Sequence, residues 1–262
     1  MNADWRSRYD LAVTVARQAG ALARNYYEGE FKVEHKTDES PVTIADREAE
    51  QLIRDAVSQA FPEDGFLGEE YGDQSGSSGF RWVIDPIDGT KSFIRHIPLW
   101  GTLVGLEYQG EQIAGVAEVP LLGMTYRALR GDGAYVNERR IRVSDVARLS
   151  QAVLCYSSIS WFRNAGREAM FLDLAAKTYR QRGFGDFYGF VLVAEGACDV
   201  MVDHGVHAWD VSAVKAIVEE AGGQLTDWAG TPTTERPDVL ASNGKLHAEV
   251  LKILNDSHPG RT

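Results

Sequence analysis

The stretch Trp82-Val83-Ile84-Asp85-Pro86-Ile87-Asp88-Gly89-Thr90-Lys91-Ser92-Phe93 constrains the chain more than any other. Three consecutive apolar residues read as a buried strand, and Pro86, which has no amide to offer a sheet, should stop it after Asp85. A tight turn then aims Asp85 and Asp88 at one place. Gly89 permits close backbone approach, so the amides of Gly89 and Thr90 can face an anion, as at a helix N-terminus. Carboxylates beside anion-binding amides make electrostatic sense only with cations between them, and hard oxygen donors select Mg²⁺ or a close relative. Asp-Pro or Asp-Gly alone would read as an Asx-type surface turn. The full string behind an apolar strand reads as a site.

Mixed helix and sheet surround this strand. Leu11, Val15, Ala19, Leu22 and Tyr26 mark one face of a helix over Arg8 to Tyr27, and Ile44, Leu52, Ile53, Ala56 and Val57 mark a second from about Thr43 to Ala60. Lys36 to Pro41 reads as a loop. Leu99 to Tyr108 and Gln112 to Val119 flank a Gln-Gly-Glu turn and read as a hairpin, as do Met124 to Leu129 and Ala134 to Val136 about Gly131-Asp132-Gly133. Helices are expected over Arg167–Arg182, Tyr188–Glu195, Asp210–Ala221 and Lys245–Asn255. Strands are expected over Cys198–Val202, at Leu225 and over Val239–Ser242. Gly72 to Gly79 reads as a mobile surface loop. No repeat is present. The fold class is α/β, in layers. A chain of 262 residues can be one catalytic unit, 1–262, with two lobes, 1–145 and 146–262.

Charge narrows the partners. Asp and Glu number 38 against 27 Lys and Arg, a net charge of -11, which argues against a nucleic-acid surface. No apolar run approaches a membrane span and the first residues form no signal-like block, so a cytoplasmic location is expected. Cys155 and Cys198, in apolar surroundings, read as buried thiols.

The Trp82–Phe93 string resembles the signature of the inositol monophosphatase family, Mg²⁺-dependent, lithium-sensitive phosphomonoesterases. Other family elements follow in order: Pro41-Val-Thr-Ile-Ala-Asp46, Gly68-Glu69-Glu70, Trp209-Asp210-Val-Ser-Ala213 and Ala221-Gly222-Gly223. The resemblance implies a five-layer αβαβα sandwich and a homodimer. Carried over by residue, it implies that Glu69, Asp85 and the Ile87 carbonyl hold a first Mg²⁺. Asp85, Asp88 and Asp210 would hold a second, and Glu69 would help a weaker third, with Mn²⁺ as a substitute. Thr90 paired with Asp46 would orient or deprotonate the attacking water, and the amides of Gly89 and Thr90 would hold phosphate oxygens. Water would attack directly, without a phosphoenzyme. Each role has a plainer counterpart: Asp210 and Asp46 suit helix N-termini, and Asp46 can complete a capping box with Thr43.

The longer stretch through Ile94-Arg95-His96-Ile97-Pro98-Leu99-Trp100, together with Arg182-Gly-Phe-Gly-Asp-Phe-Tyr-Gly189, is similar to the histidinol-phosphatase branch of the family. An acid at Asp186 can pair with a substrate amine, and Asp203 stands where relatives place an acidic substrate contact; Lys91 is a third candidate contact. Asp186 can equally be a helix N-cap. Trp100, Phe187 and Tyr188 suit either core packing or an imidazole, whereas His96, His204 and His207 are not expected to bind metal. The reaction this implies is hydrolysis of L-histidinol phosphate. The alternatives are inositol 1-phosphate, a 3′,5′-bisphosphonucleotide, or a catalytically silent metal-binding regulator.

Overall fold

The computed structural model describes residues 2–29, 33–35 and 41–256. In chain order the elements are α1 (Ala3–Glu28), β1 (Val33–His35), β2 (Pro41–Thr43), α2 (Ile44–Ala60), β3 (Gly65–Gly68), β4 (Gly72–Gln74), β5 (Phe80–Asp88), α3 (Thr90–Phe93), β6 (Gly101–Tyr108), β7 (Glu111–Val119), β8 (Met124–Leu129), β9 (Gly133–Val136) and β10 (Arg139–Ile141). There follow β11 (Val153–Cys155), α4 (Ile159–Asn164), α5 (Glu168–Lys177), β12 (Arg180–Arg182), α6 (Asp186–Glu195), β13 (Val200–His204), α7 (Ala208–Glu220), β14 (Gln224–Thr226), β15 (Asp238–Ser242) and α8 (His247–Asn255). This is the mixed α/β class expected. The loop expected over Lys36 to Pro41 lies outside the described residues except for Pro41.

Two compact units result: residues 1–140 with 209–217, and residues 141–208 with 218–262. The expected division at 145/146 put Asp210 in the C-terminal lobe; its helical segment instead belongs to the first unit.

The first unit is built on an eight-stranded sheet, in the order β10-β9-β8-β7-β6-β5-β3-β4. Tyr9, Ala12, Ala16 and Ala19 of α1 and Ala49, Ile53 and Val57 of α2 pack on Trp82, Ile84, Val104, Leu106, Ala114 and Val116. Alternation along β5 therefore turns Val83 and Asp85 to the opposite face. There Gly105 and Gly115 are direct partners across β6 and β7. A Cβ on Gly105 would overlap the Ser212 hydroxyl and one on Gly115 the Ala213 carbonyl oxygen. The paired glycines thus make a hollow that lets the α7 backbone lie against the sheet.

Several local expectations are corrected. Strand β5 does not stop at Asp85 but runs to Asp88, with irregular register against β6 between those residues. Such a bulge absorbs the donor that Pro86 lacks, while the Pro86 carbonyl accepts from the Thr102 hydroxyl at 2.8 Å. Part of the expected Gly72–Gly79 loop is strand β4, and the amides of Ser77 and Ser78 donate to the Glu63 carbonyl. The helix expected to Arg182 ends at Lys177. Thr178 and Gln181 side chains donate to the Ala175 carbonyl at 2.8 and 2.7 Å, stopping the helix before edge strand β12.

The second unit has a five-stranded sheet, β12-β11-β13-β15-β14, in which β11 runs parallel to both β12 and β13. Phe162, Phe171, Leu174, Trp228 and Leu254 form its core, Phe162 stacking on Phe171 at 4.3 Å. Cys155 and Cys198 are buried free thiols.

His247 also lies in this unit. Thr226 gives its hydroxyl proton to the Asp227 carbonyl at 2.7 Å, so it accepts from His247 Nε2 at 3.0 Å, and Nδ1 accepts from Ser242 at 2.8 Å. Burial holds the imidazole pKa below its ordinary 6.5. A depressed pKa stabilises the fold fully above the unfolded value and loses that contribution as pH falls through the folded one. Thermal midpoints should therefore fall as pH drops below about 6.5, and His247→Gln should flatten that limb. An unchanged profile in the variant would remove His247 as its cause.

Candidate active site

Asp85 is buried on the sheet face opposite α1 and α2, with its Oδ1 accepting from the Ile87 amide at 3.1 Å. Asp88 is buried three residues on, and Asp210 stands half-buried in the first turn of α7. One carboxylate oxygen from each of Asp85, Asp88 and Asp210 lies within 4.8 Å of the other two. Burial first, then the charges of Glu69, Asp88 and Asp210, push the Asp85 carboxyl well above the ordinary carboxylate range. These charges repel one another in a poorly solvated place, and a hard divalent cation removes both penalties, so the donor set fits Mg²⁺.

Glu69 follows β3, its amide donating to the Ile84 carbonyl at 3.2 Å, and its charge is felt at both Asp85 and Asp46. Asp46 completes the capping box of α2: its Oδ2 accepts from the Thr43 amide at 2.7 Å and hydroxyl at 2.6 Å. Burial, reinforced by Glu70 and Glu69, pushes its carboxyl up to about 7 despite the two Thr43 bonds. The expected Thr90–Asp46 pair is not formed. Thr90 instead donates its hydroxyl to the Ile87 carbonyl at 3.0 Å, an oxygen also expected to face a cation. The Ile87 carbonyl is the acceptor on Thr90's own turn, whereas Asp46 stands on α2 with its Oδ2 engaged by Thr43.

Gly89 occupies the left-handed region at φ 88°, and its carbonyl accepts from the Ser92 and Phe93 amides. This closes the one turn of α3. Gly89 and Thr90 stand half-buried at its start, and Lys91 is exposed. Trp100 and Phe93 are fully buried with Ala45 and Ile87, their rings 5.0 Å apart, so Trp100 is core beneath the loop. Phe187 is likewise buried, while His204 lies 5.4 Å from the Trp228 ring and His96 5.1 Å from that of Tyr27.

Two of the candidate substrate contacts, Asp186 and Asp203, lie in the second unit. Asp186 is the first residue of α6, with Gly185 at the cap position and no side-chain cap, so it is not the N-cap. Asp203 is buried near the end of β13. Ser157 donates to Asp203 Oδ2 and accepts from the Asp186 amide at 2.9 Å.

Sequence reasoning missed Glu50. Buried on α2, it pairs with Arg54 at 2.8 Å and accepts from the Glu70 amide at 2.7 Å and the Tyr71 amide at 3.3 Å. A Cβ on Gly68 would overlap its carboxylate, so Gly68 and Glu50 together shape the turn that carries Glu69. The available signal was a Glu-Arg pair four apart on an apolar stripe. Glu50→Gln is expected to weaken Mg²⁺ binding about tenfold, measured by calorimetry, because outer-shell partners orient ligands. Unaltered affinity would confine Glu50 to a folding role.

A model of the inositol monophosphatase family matches residues 4–258. The chain is 39% identical to a histidinol-phosphatase of Streptomyces coelicolor, over 97% of this chain and 99% of that protein. It is 41% identical to one of Chlorobaculum parvum, over 91% and 90%. Among solved structures, the extragenic suppressor protein suhB of Bartonella henselae superposes with a TM-score of 0.90 at 30% identity, covering 96% of this chain and all of that one. A family match along nearly the whole chain and curated phosphatase relatives of the same length accompany the gathered carboxylates, and the chain belongs to the inositol monophosphatase family of phosphomonoesterases.

Proposed function

We propose that the chain hydrolyses L-histidinol phosphate to L-histidinol and inorganic phosphate, with Mg²⁺. The observation that carries the reaction is the convergence of Asp85, Asp88 and Asp210. The substrate is supported by the named activity of the relatives and by the acidic pair Asp186 and Asp203, which suits a cationic amine. Glu69, Asp85, Asp88, Asp210 and the Ile87 carbonyl would hold two cations, and a third more weakly. When bound, the cations supply positive charge that acidifies water and offsets charge on the transferring phosphoryl group.

The chain's own groups align the reaction. The amides of Gly89 and Thr90 would donate to phosphate oxygens, and Thr90 would have to exchange its hydrogen bond to the Ile87 carbonyl for one to Asp46 before that pair could orient the attacking water. Water attacks phosphorus directly and gives up a proton, the P–O ester bond breaks, and the departing oxygen takes a proton from solvent. The enzyme acts as a homodimer in the cytoplasm on this reading; among the described residues no helix is long and apolar enough to cross a membrane.

A phosphate-release panel tests the substrate. L-histidinol phosphate should exceed inositol 1-phosphate and a 3′,5′-bisphosphonucleotide by at least about tenfold in kcat/KM, ~1.4 kcal/mol of differential transition-state binding. A preference for inositol 1-phosphate would overturn the substrate and leave the metal site standing. Exhaustive chelation should abolish turnover and Mg²⁺ restore it; turnover that survives chelation would overturn the reaction itself.

A further inference from the structure

The geometry points to Ser157 as the positioning residue that sets the enzyme's selectivity for an amine-bearing ester, an inference that rests on the reading of Asp186 and Asp203 as substrate contacts. Strand β11 lies between β12 and β13 and is parallel to both, so the carboxyl ends of all three emerge on one side. Ligands of parallel sheets bind beyond those ends. Ser157 lies just past the middle strand, Asp186 past β12 and Asp203 near the end of β13. Only the middle strand can reach both neighbours.

The bonding has a fixed polarity. A serine hydroxyl has one proton, and Ser157 gives it to Asp203 Oδ2, so its lone pair receives the Asp186 amide at 2.9 Å. The other Asp203 oxygen accepts from the His204 amide at 2.9 Å, which leaves that buried carboxylate no freedom to turn. Asp186 has φ 47° immediately after Gly185 at φ 64°. A non-glycine residue in the left-handed region is strained, and the hydrogen bond that the Asp186 amide donates to Ser157 helps hold it there. The turn is also pressed close: a Cβ on Gly185 would come within 2.9 Å of the Ser157 Cα. One hydroxyl therefore fixes the backbone that carries one carboxylate and the side chain of the other. An ammonium group, with three donors in set directions, is held well only by acceptors that do not move.

The test compares L-histidinol phosphate with the matching ester that lacks the amino group, using the full-length enzyme with Mg²⁺. The wild type should favour the amine-bearing ester by at least about tenfold in kcat/KM. Ser157→Ala should cut that ratio at least about fivefold, mainly through KM, and should cut it no further in an Asp203→Asn background. Ser157→Cys, similar in size but a weaker donor, should give an intermediate ratio and answers the question if the alanine protein does not fold. A ratio kept in Ser157→Ala or Ser157→Cys, with both esters slowed equally, would show a merely structural serine and overturn the inference. A wild type indifferent to the amine would overturn the reading of Asp186 and Asp203, and the inference with it.

Discussion

Asp85→Asn should lower turnover by about three orders of magnitude or more, ~4 kcal/mol of transition-state stabilisation, while leaving the metal-free protein no less stable. Two opposed effects meet at this residue. With Mg²⁺ present, the buried carboxylate would be a ligand for both proposed cations, and an amide offers a weaker, uncharged oxygen. Without Mg²⁺, Asp85 is buried and faces the charges of Glu69, Asp88 and Asp210, which hold its carboxyl above the usual range. A raised folded pKa gives stability that is present below the unfolded value and is lost as pH rises. In chelator, the wild type should therefore lose thermal stability as pH climbs from about 4 towards neutrality, and Asp85→Asn should lose less. Steady-state kinetics with Mg²⁺ and melting curves in chelator read the two arms separately. Near-normal turnover would refute the ligand role, and a variant less stable than wild type in neutral chelator would refute the repulsion.

Gly115→Ala should cost about 2–3 kcal/mol of stability and at least about a hundredfold in turnover, although the residue touches none of the proposed ligands. Its added Cβ would overlap the Ala213 carbonyl oxygen and stand 2.9 Å from the Ala213 Cα. Those atoms are helix backbone, so no rotamer change relieves the contact and α7 must lift from the sheet. Asp210 lies three residues earlier on the same helix and moves with it. Gly110→Ala supplies the control, since a Cβ there meets nothing within 4 Å and only the positive φ is strained. That variant should lose stability, about 1 kcal/mol, but keep its turnover. If Gly115→Ala retained full activity at a lowered melting temperature, α7 would not be what places Asp210.

Local chemistry wrote several features into the sequence. An apolar run followed by Asp-Pro-Ile-Asp-Gly has few conformations available, so a strand that brings two carboxylates to one place could be read directly, though not its continuation to Asp88 or the left-handed conformation of Gly89. Helices α1 and α2 were legible because their apolar residues recur at helical spacing, and the Thr43–Asp46 box because its partners are three residues apart. Legibility declined where side chains compete locally for a backbone carbonyl and where the deciding contact joins distant residues. Periodicity carried α5 on to Arg182, whereas Thr178 and Gln181 end it through the Ala175 carbonyl. Nothing adjacent to Gly105 or Gly115 announces that they face each other and accept a helix 100 residues away.

What the amino-acid order determined, then, is the supply of acidic side chains, the glycine turn that follows Asp88, and the family pattern that ties them together. Only the tertiary structure decided that α7 lies against Gly105 and Gly115, that Glu50 braces the Glu69 turn, and that Ser157 joins Asp186 to Asp203. The reason is physical: a propensity acts over a few bonds of chain, but a hydrogen-bond partner or a steric hollow is set by packing between strands and helices whose separation in sequence leaves no local trace.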